Sequence, residues 1–283
     1  MNAHLRAQPA EPAPRPLWPI AIGIVLIVGI AGTAWWLTMR GATNGAIPAT
    51  GPIAPAVVQT PIAAEIQHPI EQAPAALPAE PATPLPALGE SDPLLFEALA
   101  GLIADERWRA FLAGDFLIQR FVATIDNLPR GKLAPHLLPV RTAPGQMPVE
   151  GSAPDQVISA ANAARYDAYV RILESVDSQR VVALYARLYP LFQQAYRELG
   201  GPDAYFNDRL VAVIDHLIAA DQPTVAPRLV RPKVFWEFAD PVLEQRSAGE
   251  KLMIRLGPAH AEKVRDKLIE IRALLVAQPP ATD

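Results

Sequence analysis

The longest uncharged apolar run of the chain occupies residues 17–39. About 20 apolar residues span the hydrocarbon core of a bilayer, so this run predicts one transmembrane helix. Trp18 lies near one end, and Trp35 and Trp36 lie near the other, as is typical of interfacial aromatic belts. A cleavable signal peptide is the alternative, but its apolar region is shorter and ends in a small-x-small site. The length and the Trp-Trp-Leu-Thr-Met-Arg ending favour an uncleaved anchor.

The distribution of basic residues predicts the orientation of this anchor. Arg6 and Arg15 precede the span, whereas only Arg40 follows it closely, and the next basic residue is Arg107. The positive-inside rule then places residues 1–16 in the cytoplasm as a short tail. We therefore expect a single-pass protein of the inner (cytoplasmic) membrane whose C-terminal domain lies in the periplasm of a Gram-negative cell.

Residues 40–90 are rich in proline and alanine and contain no aromatic residue. Prolines recur too often for a helix or a sheet to propagate, and the composition favours extended polyproline-like segments. The pattern predicts a disordered linker between the membrane and whatever follows.

Residues 91–277 show the spacing of apolar positions that is typical of helices. The first helix is predicted to begin at Ser91, because a capping residue there precedes Asp92 and Pro93. The strongest pattern covers residues 177–199, where Pro190 falls on the opposite, water-facing side. The apolar arc of that helix consists of Val181, Leu184, Tyr185, Leu188, Tyr189, Phe192 and Tyr196.

Other stretches of this domain give weaker signals. Residues 154–176 are predicted to be helical, whereas the proline-rich stretch 128–154 is either an ordered wrap or a functional loop, and its leucines favour the wrap. Residues 224–238 are strand-like, but their prolines allow only a short edge hairpin or an extended strap. Ser247 and Glu250 have the spacing of a capping box that opens the next helix. The predicted fold is mainly α: an N-terminal transmembrane helix, a linker, a multi-helix soluble domain with at most a short edge hairpin, and a disordered tail at 278–283.

Composition narrows the chemistry that this domain can perform. The formal net charge is −4, and residues 41–90 contribute four glutamates and no Lys or Arg, so the domain is nearly neutral. A nucleic-acid-binding protein usually carries a basic patch, and we expect no nucleic-acid partner. The chain has no cysteine, which excludes disulfides, thiol catalysis and thiolate metal sites. We find no phosphate-binding loop, metal-binding motif or nucleophile elbow, and we predict no cofactor and no metal.

Several unusual strings occur in order along the domain. They are Asp126-Asn-Leu-Pro-Arg130, Arg165-Tyr-Asp-Ala-Tyr169, Glu174-Ser-Val-Asp-Ser-Gln-Arg180, Leu188-Tyr-Pro-Leu-Phe-Gln-Gln-Ala-Tyr196, Tyr205-Phe-Asn-Asp-Arg-Leu210, Ile214-Asp-His-Leu217 and Pro232-Lys-Val-Phe-Trp-Glu-Phe-Ala-Asp-Pro241. With them, most of residues 88–275 resembles the bacterial domain-of-unknown-function 3014 (DUF3014) family. The resemblance implies a membrane-anchored protein of Gram-negative bacteria, and it implies no activity and no assigned site.

Aromatic and polar residues near the centre of the domain form the candidate binding surface. Tyrosines on one edge of a helix provide apolar bodies with polar tips, which suit a sugar, a peptide or a partner helix. The competing interpretation is that these tyrosines border the core and bond to buried polar groups. The candidate partner-binding residues are Tyr185, Tyr189, Tyr196, Tyr205, Asn207, Asp208, Arg209, Lys233 and Trp236.

Charged residues offer two further hypotheses. Asp208 and Asp215 share a helix face and could bind a metal or act as an acid–base pair, although that face is predicted to be solvated. His216 is expected to be structural. Another set either forms one structural polar network, which we favour, or binds an anionic group such as a peptidoglycan carboxylate. That set comprises Arg165, Arg180, Arg209, Lys233, Asp167, Asp177, Glu237 and Asp240.

Three functions are compatible with these patterns. The leading hypothesis is a non-enzymatic binding or scaffold module of the cell envelope, which contacts the bilayer through residues 17–39 and a periplasmic protein or the cell wall through its domain. The first alternative is a hydrolase or transferase that acts on the cell wall with an unrecognised active site. The second alternative is a periplasmic assembly factor or chaperone that holds extended peptides.

Overall fold

A computed structural model of the chain describes residues 65–72, 84–104, 106–200 and 204–276. The predicted cytoplasmic tail at 1–16, the transmembrane helix at 17–39 and the tail at 278–283 lie outside these residues. Among the described helices, none combines the length and the apolar character needed to cross a bilayer.

The described part of the chain is mainly helical, as the sequence predicts. Short 3-10 helices precede or connect the α-helices at Ile70–Gln72, Leu88–Glu90, Glu106–Phe111, Pro135–Leu137 and Ala160–Tyr166. The α-helices are α1 (Asp92–Leu102), α2 (Leu117–Asn127), α3 (Asp167–Ser175), α4 (Ser178–Leu199), α5 (Phe206–Ile218), α6 (Pro241–Gln245), α7 (Ala248–Leu256) and α8 (Pro258–Val276).

Helix α4 is the long helix predicted from its apolar arc. The Asp177 side chain accepts a hydrogen bond from the backbone N–H of Arg180 and so caps the first turn. The helix ends at Gly200, which adopts a positive φ of 122°. Pro190 is exposed on the side away from the core, where water can satisfy the carbonyl that loses its backbone partner.

The C-terminal helix α8 packs against α3, α4, α5 and α7. Its buried positions follow an alternating three- and four-residue spacing, which places them on one stripe that faces the other helices. Arg265 on α8 donates to the carbonyls of Ile218 and Ala220, and it thereby satisfies backbone acceptors at the C-terminal end of α5. The stripe consists of Ala261, Val264, Leu268, Ile271 and Leu275.

Two antiparallel hairpins of two-residue strands accompany the helices. Strands β3 (Leu229–Val230) and β4 (Glu237–Phe238) confirm the predicted edge hairpin. Strands β1 (Val149–Glu150) and β2 (Val157–Ile158) form a second hairpin, so the limit of at most one hairpin was wrong.

The same region corrects the helix predicted over residues 154–176. The N–H of Leu229 donates to the Gln156 carbonyl, and Val157 bridges to Arg228, so this stretch is held extended from two sides. Helical structure begins only with the 3-10 helix at Ala160, and α3 follows from Asp167.

The proline-rich connection after α2 is an ordered wrap rather than a free loop. Leu128 and Leu138 are fully buried, and Leu133 and Val140 are nearly so. Backbone hydrogen bonds also tie its start to another helix, because the N–H groups of α7 residues Ala248 and Gly249 donate to the carbonyls of Arg130 and Leu128. These bonds satisfy donors at the start of α7 that have no partner within the helix.

Two pieces of the predicted linker lie against the helical domain. Residues 65–72 and 84–90 are described, and each contains a 3-10 turn that packs against α4. Ile70 and Leu88 are buried in the main core cluster. Isolated large aliphatic residues allow a proline-rich stretch to adhere to an apolar surface without forming a regular element. These two parts of the predicted linker are therefore ordered against the helical domain.

The close approach of α7 to α2 and α5 yields a test of the packing. A Cβ added at Gly249 would lie 2.5 Å from Leu217 Cδ2 and 3.4 Å from the Leu128 carbonyl oxygen. Because Leu217 is itself buried, the side chain has little room to move. We expect Gly249→Ala to lower the free energy of unfolding by about 1–3 kcal/mol, as overpacking does, measured by urea denaturation.

Gly101→Ala provides the matched control for this substitution. Gly101 lies in α1, is exposed, and has no atom near the position of an added Cβ. The higher helix propensity of alanine should raise the free energy of unfolding by about 0.5–1 kcal/mol. Equal effects of the two substitutions would contradict the described approach of α7 to Leu217.

Candidate functional site

Residues 65–72, which we call the docked segment, bind the start of α5 through backbone hydrogen bonds. The N–H groups of Gln67 and His68 donate to the two carboxylate oxygens of Asp208, at 3.1 and 2.7 Å. Hydrogen bonds to an ionised acceptor are about twice as strong as bonds between neutral groups. Asp208 lies in the first turn of α5, where the helix dipole also favours a negative charge.

Two further side chains bind the same segment. Asn207 Nδ2 donates to the His68 carbonyl at 2.8 Å, and the Ile70 N–H donates to the Tyr205 hydroxyl at 2.9 Å. Tyr205, Asn207 and Asp208, which lie close together in the sequence, therefore bind four backbone groups of the docked segment. We call these three side chains the docking site. The Ile70 side chain is 6% exposed and joins the main core.

A buried glutamine positions the docking site. Gln193 Oε1 accepts hydrogen bonds from the Tyr189 hydroxyl at 2.8 Å and from the Phe206 N–H at 2.9 Å. Its Nε2 donates to the Ala204 carbonyl at 2.8 Å. One side chain on α4 thus fixes the backbone on both sides of Tyr205, immediately before the other two residues of the docking site. Because Gln193 is buried, water cannot replace these partners.

A row of aromatic rings underlies the docking site. The centroids of Tyr185 and Tyr189 lie 5.7 Å apart, and those of Tyr189 and Tyr205 lie 5.4 Å apart. Burial, the hydrogen bond with the Tyr205 hydroxyl and the nearby charge of Glu71 raise the pKa of Tyr189. Burial, together with Tyr189, Tyr205 and the Asp208 carboxylate, raises the pKa of Tyr185 well above its usual value. Both tyrosines therefore stay neutral at physiological pH.

Two polar atoms in and beneath the docking site have no hydrogen-bond partner among the described residues. They are the Tyr185 hydroxyl and Asn207 Oδ1, and both are buried. A buried polar group without a partner costs about 1–3 kcal/mol. The docked segment therefore leaves part of the hydrogen-bonding capacity of the docking site unused.

Tyr196 and Arg209 lie beside the docking site rather than in it. Arg209 Nη2 donates to the Asp126 carbonyl at 2.6 Å, and its Nε lies 3.1 Å from Asp126 Oδ1. The Tyr196 ring packs on Phe206 with a centroid separation of 5.3 Å. The Arg209 contacts join α2, and the Tyr196 contact joins α4, to the first turn of α5, so both support the docking site.

Lys233 and Trp236 belong to another part of the domain. Trp236 packs against a second apolar cluster formed by Leu229, Phe238 and Ile254, and the guanidinium of Arg231 lies 5.6 Å from its ring centroid. Lys233 is exposed on the same hairpin. The structure thus brings Tyr189, Tyr205, Asn207 and Asp208 together, places Tyr185 beneath them, and leaves these two hairpin residues in a separate cluster.

The two carboxylates on α5 have different partners. Asp208 binds the docked segment, whereas Asp215 forms a two-point ion pair with Arg272 on α8. His216 Nε2 lies 2.8 Å from Ser247 Oγ, and Ser247 forms with Glu250 the capping box predicted for α7. Within the described ranges, no group of three or more His, Asp or Glu side chains could hold a metal ion.

The charged set proposed as one network makes separate local contacts instead. Each contact satisfies a nearby backbone group or a single partner, because these residues lie at the ends of different elements. Arg165 donates to the carbonyls of Ala143, Pro144 and Gly145, Arg180 donates to the Gly101 carbonyl, Asp167 binds His260, and Asp177 and Asp240 cap α4 and α6. Glu237 and Lys233 are exposed.

The occupant of the docking site was not predicted from the sequence. Residues 65–72 lie inside a tract whose composition predicts a linker, and their polar contacts use backbone groups, which leave no sequence signal. Ile70 did not distinguish them either, because other large aliphatic residues, such as Ile53 and Ile62, occur in the same proline- and alanine-rich tract.

Removing the Asp208 carboxylate should release the docked segment. Asp208→Ala deletes the acceptor of two backbone bonds, each worth about 1.5–3 kcal/mol when the acceptor is charged. We expect the amides of residues 67–70 to exchange at least about tenfold faster, measured by hydrogen exchange with mass spectrometry on the full chain. Asp215→Ala, on the same helix but paired with Arg272, should leave this exchange unchanged. Unchanged exchange in Asp208→Ala would exclude the described docking.

Comparison with known proteins agrees with the resemblance seen in the sequence. The profile of a family described as protein of unknown function (DUF3014) matches residues 117–272, which include the docking site but not the docked segment. No curated protein and no solved structure matches the chain. Because the matched residues make up more than half of the sequence, the chain belongs to the DUF3014 family.

Proposed function

We propose that this protein is a binding or scaffold module of the bacterial cell envelope, tethered to the inner membrane, whose periplasmic domain binds an extended peptide of a partner protein. The ligand occupies the docking site at the start of α5. In the described arrangement, the docked segment takes the place of that ligand.

The observation that carries this proposal is the recognition of backbone groups by side chains. Asp208, Asn207 and Tyr205 together bind three N–H groups and one carbonyl of residues 67–70. Capture of main-chain groups gives affinity for an extended peptide, and a pocket for one side chain adds specificity. Ile70 is the side chain that fills such a pocket here.

The location rests on the sequence of the N-terminal region. The apolar run at 17–39 is long enough to span a bilayer, and the basic residues before it favour a cytoplasmic N-terminus. The proline-rich composition of residues 40–64 favours an extended backbone, which supports a tethered domain.

One observation favours the assembly factor or chaperone as the second candidate. Three of the four groups that the docking site binds are N–H groups that any residue except proline carries, so binding need not depend on the ligand's sequence. A holdase needs such tolerance, whereas a scaffold needs a preferred partner. In the part of the chain that the structure describes, no comparable arrangement favours the enzyme: the Ser247 hydroxyl next to His216 is buried and serves as a helix cap.

Vacating the docking site should allow a peptide to bind from solution. Ile70→Asp places a charge in an apolar pocket and should release the docked segment. Ile62→Asp changes the similar stretch Thr60-Pro61-Ile62, which could otherwise take its place. We expect the full-length variant Ile62→Asp/Ile70→Asp to enrich octapeptides from a displayed random library, and we expect the same peptides to bind at least tenfold more weakly when Asp208→Ala is added, measured by fluorescence anisotropy. Convergent sequences would favour the scaffold, and divergent ones the holdase. Absence of Asp208-dependent peptides would refute the proposed function.

The location can be tested independently of the ligand. We expect a periplasm-dependent reporter fused after Asp283 to be active, and we expect the chain to stay in the membrane pellet after carbonate extraction. Deletion of residues 17–39 should abolish both results. Activity of a cytoplasm-dependent reporter, or release of the intact chain by carbonate, would overturn the assignment.

A further inference from the structure

The docking site binds the amides of the docked segment selectively. It uses the N–H groups of Gln67, His68 and Ile70, and it makes no demand on position 69. Pro69 has no N–H, so a proline fits there without loss of a hydrogen bond. The proline ring also restricts its own φ and limits the backbone of the preceding residue, which lowers the entropic cost of binding.

Among the side chains of residues 66–70, only Ile70 is buried; His68 and Pro69 are half-buried, whereas Ile66 is 48% exposed and Gln67 is also exposed. The hydrogen bonds from the docking site to Gln67 and His68 involve only their backbone groups. We therefore take the recognised pattern to be x-x-Pro-Ile.

The same pattern occurs a second time in the tract that precedes the docked segment. Gln59-Thr60-Pro61-Ile62 resembles Gln67-His68-Pro69-Ile70 in three of its residues. Gln59, Thr60 and Ile62 each carry an N–H, and Thr60 carries a carbonyl at the position that Asn207 binds. Thr60 also brings a hydroxyl donor to this position, where Asn207 Oδ1 lacks a partner among the described residues.

We infer that the docking site is a receptor for x-x-Pro-Ile peptides, and that residues 59–62 are a second ligand for it within the same chain. This inference rests on the proposed function and specifies its ligand class. The domain then has two alternative positions along its own tether, and exchange between them costs little, because loop-closure entropy changes slowly with loop length.

Hydrogen exchange of the full-length chain tests this inference. In Ile70→Asp we expect the amides of residues 59–62 to exchange at least about tenfold more slowly than in the wild type, while those of 67–70 lose protection. Ile62→Asp/Ile70→Asp should protect neither segment. Ile66→Asp, which changes an exposed residue of the docked segment, should retain the wild-type pattern.

Other outcomes overturn the inference. If residues 67–70 lose protection in Ile70→Asp and residues 59–62 gain none, residues 59–62 are not a ligand. If residues 67–70 keep their protection, Ile70 is not needed for docking and the x-x-Pro-Ile pattern is wrong. A synthetic peptide of sequence Glu-Ile-Gln-His-Pro-Ile-Glu-Gln, added to Ile62→Asp/Ile70→Asp, separates the two proposals. Binding of this peptide, without protection of 59–62 in Ile70→Asp, rejects only the second ligand, whereas absence of both rejects the proposed function as well.

Discussion

The docking site depends on one buried side chain, Gln193. Its amide joins the hydroxyl of Tyr189, the carbonyl of Ala204 and the amide of Phe206, so it fixes the end of one long helix relative to the start of the next. Each of these groups would cost about 1–3 kcal/mol if it were buried without a partner. Glutamine provides both a donor and an acceptor at this distance from the backbone, whereas glutamate lacks the donor and leucine lacks both.

This constraint explains how the first turn of α5 can bind the docked segment. The N–H of Phe206, one of the donors at the helix start that lack a partner within the helix, is satisfied by Gln193. The N-cap residue is Tyr205, and its side chain makes no capping hydrogen bond. The Asn207 and Asp208 side chains contact another segment. Gln193 of α4 accepts the hydrogen bond from the helix start, and the Asn207 and Asp208 side chains bind the docked segment instead.

Local signals explain what the sequence could predict. The apolar arc of α4, the proline on its exposed side and the capping box at Ser247 act within one or two turns, and all three are observed. The hairpin β1–β2 is held by partners distant in sequence, and strands of two residues are too short to show an alternating pattern. The docked segment is the hardest element to predict, because its main-chain groups bind side chains that lie far away in the sequence, near position 207. Likewise, the tyrosines of the candidate site could be placed on one helix edge, but the separation of Trp236 from them follows from how the β3–β4 hairpin packs against Ile254 of α7.

If residues 17–39 span a bilayer, as we propose, docking of residues 65–72 also sets how far the domain can stand from it. With this segment bound, only residues 40–64 connect the proposed anchor to the domain, which is a contour length of about 85 Å. Release of the segment frees the chain as far as residue 84 and extends that length to about 150 Å. Binding of another peptide at the docking site would thus lengthen the free part of the tether. The partner that displaces the segment would also let the domain reach more distant layers of the envelope.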